Sequence, residues 1–226
     1  MDIIGVLRDN FPSFCSALLM TVEMTVLSLV LATVIGTITG LFRVSNVKPL
    51  KWLAGLYIDI IRGTPLLVQI FIMYYGFTQL LHFQWPSVGA FAPSFVAGVV
   101  TLSINAGAYM AEIVRGGIES VDAGQMEAAR SLGLPYAKAM WKIILPQAFR
   151  TMLPSIINQF IISLKDTSLI SIIGPRELTQ NGKILAANSS SMVMSIWIVV
   201  ALFYLVVCTI LSKVAKVVER RVGHGK

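Results

Sequence analysis

The chain has 226 residues, of which 56% are hydrophobic and only 13% charged. Soluble domains usually carry about a quarter charged residues, so this composition excludes an ordinary soluble domain, and its long apolar runs indicate an integral membrane protein. The formal charge of +7 raises nucleic acid as a partner, but the basic residues follow the positive-inside pattern instead, and no nucleic acid is expected.

An all-α, polytopic membrane domain over residues 1–226 is predicted, with five spans. The first covers about 14–42. The start of the chain lacks a basic leading region and its apolar run is long, so no cleavable signal is expected. Gly36 and Gly40 put small residues four apart on one face, a pattern that lets two helices approach closely. Cys15 and Cys208 have no metal or disulfide spacing and are expected to be small buried hydrophobes. Glu23 lies inside the first span without an assigned role.

The second span covers about 64–81 and follows an amphipathic lead-in, "WLAGLYIDIIRG". Gly63, Thr64 and Pro65 interrupt it near its inner end. Backbone amides freed there could meet an anion, with Leu67 and Gln69 beside them. A packing kink with Gln69 bonded to a neighbouring helix is the competing reading. The third span covers about 93–114. Its main polar group, Asn105, is expected more often in a helix-to-helix hydrogen bond than on a ligand. Glu112 and Arg115, three apart, can pair.

A loop over about 119–146 follows and is predicted to form two short helices. Asp122 with Gln125 can form a capping box, Gly133 suits a left-handed helix end, and Pro135 suits the start of the second helix. The first helix shows Met126, Glu127, Ala128, Ala129 and Arg130, a low profile suited to docking in a groove. An interfacial helix lying on lipid is the alternative.

The fourth span, about 151–163, is short. It ends at "FIISLKDTSLISIIG", where Lys165 and Asp166 are adjacent. Lys165 lies 15 residues past Arg150, or about 22 Å of helix against a hydrocarbon core of about 30 Å. Both charges are therefore placed within the membrane, where ionisable groups are functional candidates by default. Contact with a cargo would use Lys165, Asp166, Thr167 and Ser168 and would need a broken helix, because adjacent helical residues diverge. Pairing within the protein is the other reading. The segment 174–191 is too polar to span and is expected outside, as a cavity cap or a solvated loop. The fifth span covers about 192–214. Arg and Lys residues concentrate in 43–62, 115–150 and the tail, which places the N-terminus outside and the C-terminus inside.

The stretch "EAARSLGLPYAKAMWKIILP" carries Glu127, Ala128, Ala129, Gly133, Ile143, Leu145 and Pro146 at the spacing of the EAA loop, and so resembles bacterial ABC-importer permeases. "RGTPLLVQ", "INAGAYMAEIVRGGI" and "KDTSL" resemble the polar amino acid subfamily, of the histidine and glutamine permease type. The resemblance covers roughly 14–215. It implies a type I ABC importer fold and a multi-pass place in the bacterial cytoplasmic (inner) membrane. It also implies coupling to an ATPase through Met126, Glu127, Ala128, Ala129, Arg130 and Gly133. The implied partners are two ATP-binding cassette subunits, a second permease chain, identical or related, and an extracytoplasmic binding protein. A polar amino acid, glutamine-like or otherwise, is the implied cargo. Lys165, Asp166, Thr167, Ser168, Leu67, Gln69 and Asn105 form the candidate pathway. There is no G-x-x-x-x-G-K-[S/T] loop, so ATP and Mg are expected only on the partner, and no cofactor, metal site or catalytic group is expected in this chain. A secondary transporter or channel, working without ATP, is the alternative, and a membrane scaffold with no transport pathway is a third reading.

Overall fold

The structure, a computed structural model, describes residues 2–223. It is helical, and among the described residues the one β pairing is an isolated bridge between Val88 and Phe91.

Two helices form its centre, α1 (Ile3–Val44) and α4 (Pro93–Glu119). Glycine makes their approach possible. A Cβ on Gly40 would stand 2.7 Å from Val114 Cβ and 2.8 Å from the Ala111 carbonyl oxygen. On the facing helix, a Cβ on Gly107 would stand 2.8 Å from Ile35 Cγ2. The spacing of Gly36 and Gly40 thus packs α1 on α4, as expected for small residues one turn apart. Hydroxyls in this seam are internally satisfied. Thr21 and Thr25 donate to carbonyls one turn back, and Ser28 donates across to the Val99 carbonyl at 3.3 Å. Such bonds remove the cost of burying a hydroxyl away from water. Cys15, contrary to expectation, is on the exposed face of α1.

The second span is two helices. α2 (Lys48–Arg62) stops at Gly63, and α3 (Leu66–Leu81) leaves at 102° to it. Pro65 has no N–H to continue α2 and sits as the residue capping α3. Tyr57 Oη ties α2 to α4 by donating to the Ile104 carbonyl at 2.6 Å.

The loop after α4 contains α5 (Ala123–Ser131). The next helix, α6, runs Tyr136–Ile173. It opens with a short turn and a π segment (Met140–Ile144), continues as the α-helical body Leu145–Ile170, and closes with a 3-10 turn. Two expectations are corrected here. The second loop helix is not a separate element but the beginning of α6. Nor is the fourth span short. The body has 26 residues, about 39 Å of helix, and passes through Lys165 and Asp166 without a break. Intrahelical bonds continue across the two charges because Thr167 and Ser168 can sit in a helix and no Gly or Pro intervenes before Gly174.

α7 (Leu178–Asn188) and α8 (Val193–Gly223) complete the chain. Segment 174–191 is therefore no solvated loop. Glu177 is fully buried and caps α7, accepting from the N–H groups of Thr179 (2.9 Å) and Gln180 (2.6 Å) and from Tyr204 Oη (3.0 Å). Burial pushes its carboxyl above the usual carboxylate range, while these three bonds pull the other way. α1, α4, α6 and α8 are each long and apolar enough to cross a membrane, and the bent pair α2–α3 brings the number of spans to five if it counts as one.

Candidate functional site: a polar cavity and an exposed loop helix

The α2–α3 break is held by one side chain. Gln69 Nε2 donates to the carbonyls of Ile61 (2.7 Å) and Thr64 (3.1 Å) and to Thr64 Oγ1 (2.9 Å). Its Oε1 accepts from Asn105 Nδ2 at 2.9 Å. The amide thus replaces partners that the ended helix no longer offers and fastens the break to α4. Of the two readings of Gln69, the structure shows the kink bonded to a neighbouring helix.

A cavity of about 630 Å³ opens beside this break. Gly63, Thr64, Pro65 and Leu66 supply one wall, Asn105 and Tyr109 a second, and Gln159, Ile162 and Asp166 of α6 a third. The N-terminus of α3 therefore faces across from a carboxylate. The first amides of a helix lack intrahelical acceptors and favour an anion, whereas Asp166 favours a cation. Asp166 makes no ion pair among the described residues.

Only some of the expected pathway residues meet here. Asp166 and Asn105 line the cavity. Lys165 does not: it is exposed on another face of α6, because successive residues of an unbroken helix point about 100° apart. Thr167 is buried, its hydroxyl donating to the Leu164 carbonyl at 2.7 Å. Ser168 is half-buried and Leu67 exposed, and neither borders the cavity. The helix break that joint use of both charges by one ligand would need is absent from this structure. Five lining residues were missed, the apolar Leu66 and Ile162 and the functional candidates Arg62, Tyr109 and Gln159. Gln159 and Tyr109 had a signal in the sequence. Gln159, Ile162 and Asp166 are spaced three and seven apart, one helical face, and Tyr109 follows Asn105 by four.

A second cavity, also about 630 Å³, lies toward the α4–α6 loop and shares Arg62, Tyr109 and Gln159 with the first. Lys216 of α8 and Glu112 also border it. The Arg62 guanidinium lies over the Tyr109 ring at 5.3 Å and 3.7 Å from Glu112 Oε2. Glu112 is held more closely by Arg115, through Nη2 at 2.7 Å and Nε at 3.2 Å, and Arg115 also pairs with Glu119. The expected pairing of Glu112 with Arg115 is therefore present within a longer chain of charges.

That chain ends beside α5. Asp122 caps α5 through the Gly124 N–H at 2.7 Å, so the cap is made without the Gln125 side chain. At the other end, Gly133 has φ +81. The Gly133 N–H reaches the Arg130 carbonyl at 3.0 Å, and the Leu134 N–H the Ala129 carbonyl at 3.1 Å. This paired closure needs the left-handed conformation that glycine supplies without strain. Glu127, Ala128 and Arg130 are exposed, whereas Ala129 is buried and Met126 packs on the cluster of Val114, Ile118 and Ile144. The last two anchor the helix rather than show on its outer face. Leu132, not singled out from the sequence, is 81% exposed next to Gly133.

Residues 32–224 match the family described as binding-protein-dependent transport system inner membrane component. The L-cystine transport system permease protein TcyB of Bacillus subtilis (strain 168) is 38% identical over 214 residues, 95% of this chain and 88% of that protein. The glutamine transport system permease protein GlnP of Escherichia coli (strain K12) is 39% identical over 203 residues, 89% of each. A solved chain described as an amino acid ABC transporter with histidines is 39% identical, covers 98% of this chain and 99% of its own, and superposes with a TM-score of 0.87. A chain of the MetNI methionine ABC transporter, 16% identical with a TM-score of 0.74 over 92% of this chain and 95% of its own, shares the fold. The polar cavity and the exposed helix α5 thus sit in a type I importer framework, and the chain belongs to the family of binding-protein-dependent transport system inner membrane components, the permease subunits of ABC importers.

Proposed function

We propose that the chain moves an amino acid, glutamine or another polar or charged one, across the bacterial cytoplasmic membrane, as half of a pathway completed by a second permease chain. One observation carries the reading: across a single cavity, Asp166, a carboxylate with no ion-pair partner among the described residues, faces the N-terminus of α3. Every free amino acid has an ammonium and a carboxylate. Asp166 takes the ammonium, and the free Leu66 N–H at the start of α3 takes the carboxylate. Asn105, already bonded to Gln69, holds the wall in place. Lys165, Thr167, Ser168 and Leu67 have no contact role in this reading.

The exposed residues Glu127, Ala128, Arg130 and Leu132 dock on an ATP-binding subunit, one per permease chain, with Gly133 shaping the end of the peg. ATP and Mg act there. The basic residues around α5 put this end in the cytoplasm, the N-terminus outside and the C-terminus inside. An extracytoplasmic binding protein delivers the cargo to the opposite end. The names of the relatives, which include glutamine, cystine and arginine systems, support an amino acid as cargo.

The test is the complete complex in proteoliposomes, assayed for uptake and ATP hydrolysis over a panel of amino acids. Asp166→Asn is expected to raise the half-saturating cargo concentration by at least about 30-fold, since removing one partner of a desolvated charge pair costs about 2 kcal/mol or more. Uptake that needs no ATP would favour a secondary transporter. Wild-type half-saturation in Asp166→Asn would remove the ammonium contact.

A further inference from the structure

Arg62 borders both cavities, and it is the loosely held member of its charge chain. Its ion pair with Glu112 is 3.7 Å, while Arg115 holds the same carboxylate at 2.7 Å. Arg62 can leave Glu112 without stranding a charge, because Arg115 remains. Its side chain is 43% exposed, and it is the last residue of α2, directly before the Gly63 break. Asp166, in the wall of the cavity that Arg62 also lines, has no ion-pair partner among the described residues. A carboxylate at membrane depth is costly unless a cation meets it.

We propose that Arg62 is a tethered stand-in for the cargo's cation. It exchanges between Asp166 and the position on Glu112 and the Tyr109 ring that the structure shows, and an arriving ammonium holds it in the second. This rests on the reading of Asp166 as the ammonium contact and adds a consequence for coupling. Displaced Arg62 joins the chain Glu112–Arg115–Glu119. Glu119 is the last residue of α4, and α5 begins at Ala123. Occupancy of the cavity is thereby converted into charge at the root of the coupling helix, through one side chain with two discrete positions.

An internal competitor weakens apparent cargo affinity by the fraction of time it occupies the site. In the complete complex, Arg62→Gln is expected to tighten half-saturation about fivefold to tenfold, by removing that competitor. The same variant should flatten the stimulation of ATP hydrolysis by cargo. Arg62→Lys, which keeps the cation, should restore part of both. In Asp166→Asn, the added change Arg62→Gln should have no further effect on half-saturation, because the two act through one contact. Unchanged or weaker affinity in Arg62→Gln, with Asp166→Asn impaired, would overturn the stand-in and leave the ammonium contact intact. Normal affinity in Asp166→Asn would remove both. If Arg62→Gln fails to assemble, Arg62→Lys decides: half-saturation tighter than wild type with stimulation partly reduced supports the stand-in, and wild-type or weaker affinity overturns it.

Discussion

The α1–α4 seam and the cavity between α2, α3, α4 and α6 share one helix, yet they are built oppositely. On one side of α4, Gly36, Gly40 and Gly107 let backbones approach until no space remains, and the hydroxyls present are bonded inside the seam. On the other side, α2 stops at Gly63, α3 turns away by 102°, and two cavities of about 630 Å³ remain, lined by charges and amides. The difference shows how a small permease divides labour. Packing without gaps gives a fixed reference, and a broken helix against it gives a surface that can change. Asn105 on α4 belongs to the second side, and through Gln69 it ties the break to the rigid side.

The largest effect is expected from breaking the dry side. Gly40→Leu would drive a side chain into Val114 and the Ala111 carbonyl, already within 2.8 Å of a single Cβ. The neighbours are backbone and a β-branched side chain, so the cost should exceed the usual 1–3 kcal/mol of overpacking, about 3 kcal/mol or more. Purified yield of assembled protein and its unfolding temperature check this. Gly116→Leu is the control, since a Cβ there meets nothing within 4 Å, and it should assemble as wild type.

A smaller loss is expected at the joint between the two sides. Gln69→Leu keeps the volume but strands the Ile61 and Thr64 carbonyls and Asn105 Nδ2. Each stranded buried group costs about 1–3 kcal/mol in general, though in membranes new partners lower this, so a total of about 2 kcal/mol is expected. Differential scanning of the purified complex measures the stability. The sharper readout is hydrogen exchange, which should rise over 61–69 and stay unchanged across the α1–α4 seam. Uniform protection would mean that the break is held by something other than this amide.

The dry side was more legible than the wet side. Gly36 and Gly40 show their face through spacing alone, since a helix fixes which residues are neighbours. Gly63 and Pro65 announce a break for equally local reasons, and Gly133 announces a helix end. Of the cavity, the break at Gly63, Thr64 and Pro65 and the side chains of Asp166 and Asn105 were legible. Arg62 had been counted as a basic residue marking a side of the membrane. Its meeting with Tyr109, Glu112 and the α6 face depends on the 102° bend, an angle that local sequence does not encode. Glu177 was hidden differently. A polar stretch resembles a solvated loop when its carboxyl group's partners, the Thr179 and Gln180 amides and Tyr204, are unknown.

The smallest expected effect separates two adjacent charges. Lys165 and Asp166 look equivalent in sequence, and a ligand touching both would require an unwound helix. The helix is intact through Ile170, Lys165 is exposed on another face, and Asp166 alone lines the cavity. Lys165→Ala removes a charge that bonds nothing in the cavity, so half-saturation for cargo should stay within about twofold of wild type, the range of ordinary surface changes. Asp166→Asn in the same assay should lose at least about 30-fold. A Lys165→Ala loss as large as that of Asp166→Asn would mean that the helix unwinds here during transport and presents both residues to the cargo. The contrast between the two neighbours thus measures whether α6 stays an unbroken helix through the whole cycle.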